Sequence, residues 1–151
     1  VDMSVDTTSR LSEISNIIGI KDATGDLSVI KELVAKCPED FLLLTGDDAT
    51  AIDFLLLGGH GGISVTANVT PRELQKAYLA AIAGNTELAK KLNEGLSGLH
   101  KNLFIESNPI PVKWALHKMG KCDNGIRLPL LELSNECKTV LENDLKELNL
   151  I

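Results

Sequence analysis

Ile17-Ile18-Gly19-Ile20-Lys21-Asp22-Ala23-Thr24-Gly25 is the stretch on which the reading of this chain turns. Three isoleucines around one glycine have the composition of a short, fully buried strand over Ile17–Ile20. The run stops at a lysine, and Ala-Thr-Gly then turns the chain toward a helix. Lys21 is thereby delivered to the C-terminal end of a strand, where α/β barrels keep their chemistry. Apolar walls around it would lower the amine's pKa, because desolvation disfavours the ammonium form. A neutral amine attacks a ketone and forms a Schiff base. The residues alone leave open a second reading, a lysine that ends a strand and points into solvent.

Outward from this stretch the pattern repeats. Residues 2–14 read as a helix with Thr7, Leu11 and Ile14 on one face. Asp26 to Cys37 is amphipathic, with Leu27, Ile30, Leu33, Val34 and Cys37 along one stripe, and Pro38 stops it. Phe41-Leu42-Leu43-Leu44 is a second apolar run, ended by Thr45-Gly46-Asp47-Asp48. A short helix through Asp53 and Leu57 closes at Gly58-Gly59. Gly62-Ile63-Ser64-Val65 is a third strand, ended by Thr66-Ala67-Asn68. Strand, helix, strand, helix, strand is the signature of parallel βα units, whose strand ends share one face. Lys21, Gly46-Asp47 and Ser64–Asn68 are therefore expected around one pocket.

Beyond Asn68 the pattern is purely helical. Thr70-Pro71-Arg72-Glu73 reads as a capping box with proline at the first helical position. That helix stops at Gly84. A long helix from Thr86 is expected to carry Leu88, Leu92, Leu96, Leu99 and Leu103 on one face. Asn108-Pro109-Ile110-Pro111 breaks the chain before a helix through Trp114 that ends at Gly120. A last helix starts near Ser134, with Val140, Leu141, Leu145 and Leu148 inward. The expected division is residues 1–84, α/β, and residues 85–151, helical.

Composition narrows the function. With 151 residues, 44% hydrophobic and 24% charged, the chain has an ordinary globular composition. Only 3% of residues are aromatic, so the core must be aliphatic. A net charge of −6 with no basic block argues against nucleic acid and anionic membrane as partners. Cys37, Cys122 and Cys137 have no metal-ligand spacing and read as free thiols of a cytoplasmic protein. His60, His100 and His117 show no ligand spacing either and are expected on surfaces. No metal site is expected from these residues. Tyr78 is read as a packing residue. Asp48 is expected to cap the following helix.

Four blocks carry a family resemblance: Ile17–Gly25 (IIGIKDATG), Thr45–Ala49 (TGDDA), Gly58–Asn68 (GGHGGISVTAN) and Asn108–Ala115 (NPIPVKWA). In order and spacing they resemble the dihydrodipicolinate synthase family, a branch of the pyruvate-dependent class I aldolases. The second and fourth blocks favour that family over N-acetylneuraminate lyase and its kin, which share the lysine. The resemblance implies an α/β fold, the last three strands of a (β/α)8 TIM barrel followed by a C-terminal helical domain. It implies that the first five strands, the tyrosine-threonine-tyrosine proton relay, the carboxylate-binding threonine pair and the substrate-binding arginine lie before Val1. It also implies assembly of the whole protein as a homo-oligomer, a dimer of dimers.

For the chemistry, the resemblance implies that Lys21 condenses with pyruvate and that the resulting enamine attacks L-aspartate 4-semialdehyde, with no cofactor. It places the backbone carbonyl of Ile63 against pyruvate, and Gly46 and Asp47 along the substrate pocket. Two other readings accompany it. One keeps the lysine but changes the aldehyde, as in the sialic-acid and sugar-acid lyases. The other treats the chain as a non-catalytic folding or assembly module whose sheet edges seek partners.

Overall fold

The computed structural model describes residues 2–151. Three strands, β1 (Gly19–Asp22), β2 (Leu42–Thr45) and β3 (Gly61–Gly62), form one sheet in the order β1-β2-β3. Both pairings are parallel: Gly19 to Leu42 through Asp22 to Thr45, then Leu44 to Gly61 and Thr45 to Gly62. Helix α2 (Leu27–Lys36) connects β1 to β2, and α3 (Ala51–Leu56) connects β2 to β3. Asp26 starts α2 by accepting the Ser28 amide at 2.8 Å. This sheet, with its helices and the helical layer that follows, is the α/β architecture expected from the sequence.

All three strand boundaries differ from expectation, the second by one residue, since it runs Leu42–Thr45 rather than Phe41–Leu44. The first strand begins at Gly19 rather than Ile17 and includes Lys21 and Asp22, because these pair with Leu44 and Thr45. The third is two residues long. The Ile63 amide still reaches Thr45 O at 2.8 Å, but the Val65 and Thr66 amides turn to the Asp48 carboxylate instead of a neighbouring strand.

The two faces of the sheet have different fates. Side chains alternate along a strand, so Ile20, Leu43 and Thr45 share one face and Lys21, Leu42 and Leu44 the other. Ile20 and Leu43 meet Ile30 and Leu33 of α2, together with Phe41 and Phe54, in a buried cluster. The opposite face is uncovered. Ile63 is 52% exposed and Leu42 40%. The expected fully buried first strand is therefore half-covered here. Parallel sheets are usually covered on both faces, and this one is covered on one.

Helix α1 (Val5–Ser12) packs on α2. Helices α4 (Pro71–Ile82), α5 (Thr86–Glu94), α6 (Ser97–Asn102), α7 (Ile110–Lys118) and α8 (Asn135–Glu147) complete the chain. Ile52 and Leu55 of α3 share a cluster with Ala77 and Ala81 of α4 and Ala89 of α5, so packing runs continuously across residue 84. A larger cluster gathers Val69, Leu99, Leu103, Val112, Leu133, Leu141 and Leu145. The long helix expected from Thr86 is broken into α5 and α6 at Gly95, a poor helix former. In α8, Leu141 and Leu145 are fully buried one turn apart, whereas Val140 lies off that stripe and is 37% exposed.

The buried stripe gives a quantitative expectation. Leu141→Ala removes a fully buried side chain from the larger cluster. It should cost about 2–5 kcal/mol. Chemical denaturation measures this, and an unchanged midpoint would contradict the packing described.

Candidate functional site

Lys21 lies on the uncovered face at the C-terminal end of β1, beside Leu44 of β2. The turn after it is fixed by Asp22, whose carboxylate accepts the Thr24 hydroxyl at 2.9 Å and the Thr24 amide at 3.4 Å. The Gly46 amide donates to Asp22 O at 2.6 Å, carrying the β1–β2 pairing one step past the strand. A Cβ on Gly46 would collide with Lys21 Cε and sit 2.9 Å from Ala23 Cβ. The lysine stem therefore crosses β2 directly over Gly46, and a glycine there leaves it room. Ile63 follows Gly61 by two residues at the end of β3, and Gly61 pairs with Leu44. Lys21, Gly46 and Ile63 thus lie at the C-terminal ends of three neighbouring strands, with Lys21 over Gly46.

Lys21 is exposed. The apolar walls expected around the amine are not met within these residues; the uncovered face must be closed to supply them. Among the described residues no group of three or more His, Cys, Asp or Glu side chains is arranged to hold a metal ion. No helix of the described residues is long and apolar enough to cross a membrane.

The two aspartates divide their labour differently from expectation. Asp47 heads α3: its Oδ2 accepts the Thr50 amide at 2.9 Å and the Thr50 hydroxyl at 2.7 Å. Asp48 does not cap the helix. It is 2% exposed, and its Oδ2 accepts the amides of Val65 and Thr66 at 3.0 Å each. The capping box at Thr70 is also absent, since the Thr70 side chain makes no cap hydrogen bond. Asn68 does brace its loop, donating from Nδ2 to Val65 O at 3.0 Å.

Three side chains behind the sheet set the local electrostatics. Tyr78 of α4 packs under β3, where a Cβ on Gly62 would lie 2.7 Å from its hydroxyl oxygen. Burial pushes the phenol's pKa well above its ordinary value, and the charges of Asp48 and Asp47 push it further, so it stays protonated. His60 completes the β2–β3 ladder: its Nδ1 accepts the Leu43 amide at 3.0 Å, and its own amide donates to Leu43 O at 2.9 Å. His100 is buried rather than superficial. Its Nδ1 is 2.9 Å from Thr66 Oγ1 and its Nε2 3.0 Å from Asn93 Oδ1. Sequence spacing gave no sign of this link, because Thr66 and His100 are 34 residues apart and on different elements.

Burial pushes His100 below its ordinary 6.5, against the opposing pull of Asp48 and Asp47. The unfolded chain then takes up a proton at a higher pH than the folded one. The stability contribution is complete above 6.5 and is lost as pH falls through the window below it. The carboxylates whose pKa values are lowered, Asp6, Asp26, Glu106 and Glu142, titrate below their ordinary 3.8 and 4.5 and do not share this window. Unfolding measured as a function of pH should show the slope in the wild-type chain and lose it in His100→Gln. An equal slope in both would contradict this origin.

Comparison with known proteins agrees with this geometry. Residues 1–148 match the family model described as the dihydrodipicolinate synthetase family. The chain is 60% identical over 151 residues to a 4-hydroxy-tetrahydrodipicolinate synthase of Ruthia magnifica, covering all of this chain and 51% of that protein. It is 53% identical over 146 residues to the enzyme of that name from Pseudomonas aeruginosa, covering 97% of this chain and 50% of that one. Among solved structures, a chloride-inhibited dihydrodipicolinate synthase from Acinetobacter baumannii, complexed with pyruvate, superposes with a TM-score of 0.97 at 50% identity, covering 100% of this chain and 52% of that one. The Aquifex aeolicus synthase superposes with a TM-score of 0.96 at 41% identity, covering 99% and 52%. The chain spans about half the length of the curated relatives it matches.

Proposed function

The chain belongs to the dihydrodipicolinate synthetase family, and on that premise we propose that Lys21 is the Schiff-base nucleophile of a 4-hydroxy-tetrahydrodipicolinate synthase. The observation that carries this is the amine at the strand ends, its stem lying over Gly46 on the face left open for more barrel. Lys21 attacks the ketone of pyruvate and loses water to give an imine. The imine withdraws electrons, so the methyl group loses a proton and becomes an enamine carbon. That carbon attacks the aldehyde of L-aspartate 4-semialdehyde. Cyclisation and release from Lys21 give 4-hydroxy-tetrahydrodipicolinate. The lysine itself is the electron sink, so no cofactor is invoked.

In this reading Ile63 faces pyruvate through its backbone carbonyl. Gly46 and Asp47 border the pocket, Asp47 while also holding the head of α3. Residues 1–84 are the barrel segment with the nucleophile, and residues 85–151 its helical companion. The remaining length that the relatives possess supplies the proton relay and closes the open face. The chain alone is accordingly inactive, and the whole protein works in the cytoplasm as a dimer of dimers.

The test uses the enzyme formed by joining this chain to the N-terminal portion of the Ruthia magnifica relative. Pyruvate with borohydride should fix a reduced adduct on Lys21, and consumption of both substrates should accompany it. Turnover with N-acetylneuraminate or a sugar acid in place of the semialdehyde condensation would favour the lyase reading instead.

A further inference from the structure

The buried carboxylate of Asp48 is not used by the chemistry above, and its surroundings are unusual. One oxygen accepts two backbone amides, Val65 and Thr66, at 3.0 Å each, and lies 3.3 Å from the Thr66 hydroxyl. The other oxygen is buried with no hydrogen-bond partner among the described residues. Such a carboxylate is costly to fold around, since desolvation is repaid only on one side. What it does achieve is geometric. It holds the chain just past Ile63, where strand pairing has ended, through the amides of Val65 and Thr66.

The rim is also held from behind. The Thr66 hydroxyl meets His100 Nδ1 at 2.9 Å, and His100 Nε2 meets Asn93 Oδ1 at 3.0 Å. Asn93 belongs to α5 and His100 to α6. Asp48 at the end of β2 and two helices of the helical layer thus clamp one short segment, residues 63–66. That segment carries the backbone carbonyl to which the proposed mechanism assigns contact with pyruvate.

We infer that Asp48 is a positioning residue for the keto-acid site, acting through Thr66 and the Ile63–Val65 backbone rather than by touching substrate. This rests on the aldolase reading of Lys21. The consequence is selective. Loosening the rim moves the carbonyl facing pyruvate, whereas the semialdehyde enters later and meets other groups. A general loss of structure would instead lower the active fraction and leave both KM values unchanged.

Asp48→Asn in the joined enzyme tests this. It keeps the shape and removes the charge that two amides share. The expected result is a rise of about tenfold in KM for pyruvate, with KM for the semialdehyde changed by less than about twofold. Faster amide hydrogen exchange at Val65 and Thr66 should accompany it. Thr66→Val, which cuts the link between Asp48 and His100, should give the same selectivity at smaller size, and it decides the matter if Asp48→Asn yields no folded protein. Unchanged KM for pyruvate, or a loss of kcat with both KM values unchanged, would overturn the inference. Borohydride trapping on wild-type Lys21 runs alongside: its absence would overturn the aldolase reading, while its presence with an indifferent Asp48→Asn overturns only the positioning role.

Discussion

Lys21→Ala in the joined enzyme should lower turnover by about 10⁴-fold or more, the loss expected when a covalent nucleophile is removed. Lys21→Arg should be as inactive, since a guanidinium keeps the charge but forms no imine with a ketone. Both variants should fold as the wild type does, because Lys21 is no part of the buried cluster that packs the sheet on its helices. The measurement is kcat with both substrates, paired with an unfolding curve. Retained turnover in either variant would remove Lys21 from the chemistry. Lost turnover together with a lost unfolding transition would mean that the lysine serves the fold.

Gly46→Ala should lower kcat by about 100-fold and cost about 1–3 kcal/mol of stability. The added methyl would fall on Lys21 Cε, close to the free end of a flexible side chain, and 2.9 Å from Ala23 Cβ. The lysine stem can move aside, whereas Ala23 Cβ yields only with its backbone. A displacement of about 1 Å at a reacting group is enough to cost roughly two orders of magnitude. Steady-state kinetics and thermal unfolding on the same sample check both halves. Full activity would show that the stem does not lie over Gly46 in the working enzyme.

The βα alternation was legible because apolar runs of about four residues, each closed by polar or small residues, admit few other folds. Ile17–Gly25 read as a strand ending in a reactive position, and the structure keeps that sense while moving the strand two residues along. The shift was invisible because pairing partners, Leu44 and Thr45, decide where a strand ends, not local composition. The approach of the Lys21 stem to Gly46 was not legible, because it depends on the pairing of two strands. The exposure of Lys21 was left open by the sequence, because local composition shows where a strand ends but not which face is covered.

Asp48 shows the opposite case. A second aspartate before a helix reads naturally as a cap, but α3 has no side-chain cap, and its neighbour Asp47 braces the turn ahead of the helix through the Thr50 amide. Asp48 turns inward because Val65 and Thr66 present two amides that the short β3 leaves without a strand partner. The His100 link has the same character. Contacts that join α6 to the end of the third strand arise from how layers stack, and no periodicity within one element encodes them. The break of the long helix at Gly95 was in plain view as a glycine, but the regular leucine spacing masked it.

The most direct measurement is the mass of the joined enzyme after incubation with pyruvate and borohydride, followed by peptide mapping. The account predicts one reduced pyruvate adduct per chain, located on Lys21 and lost in Lys21→Arg. An unmodified Lys21 in active enzyme, or an adduct carried by a different lysine, would contradict it.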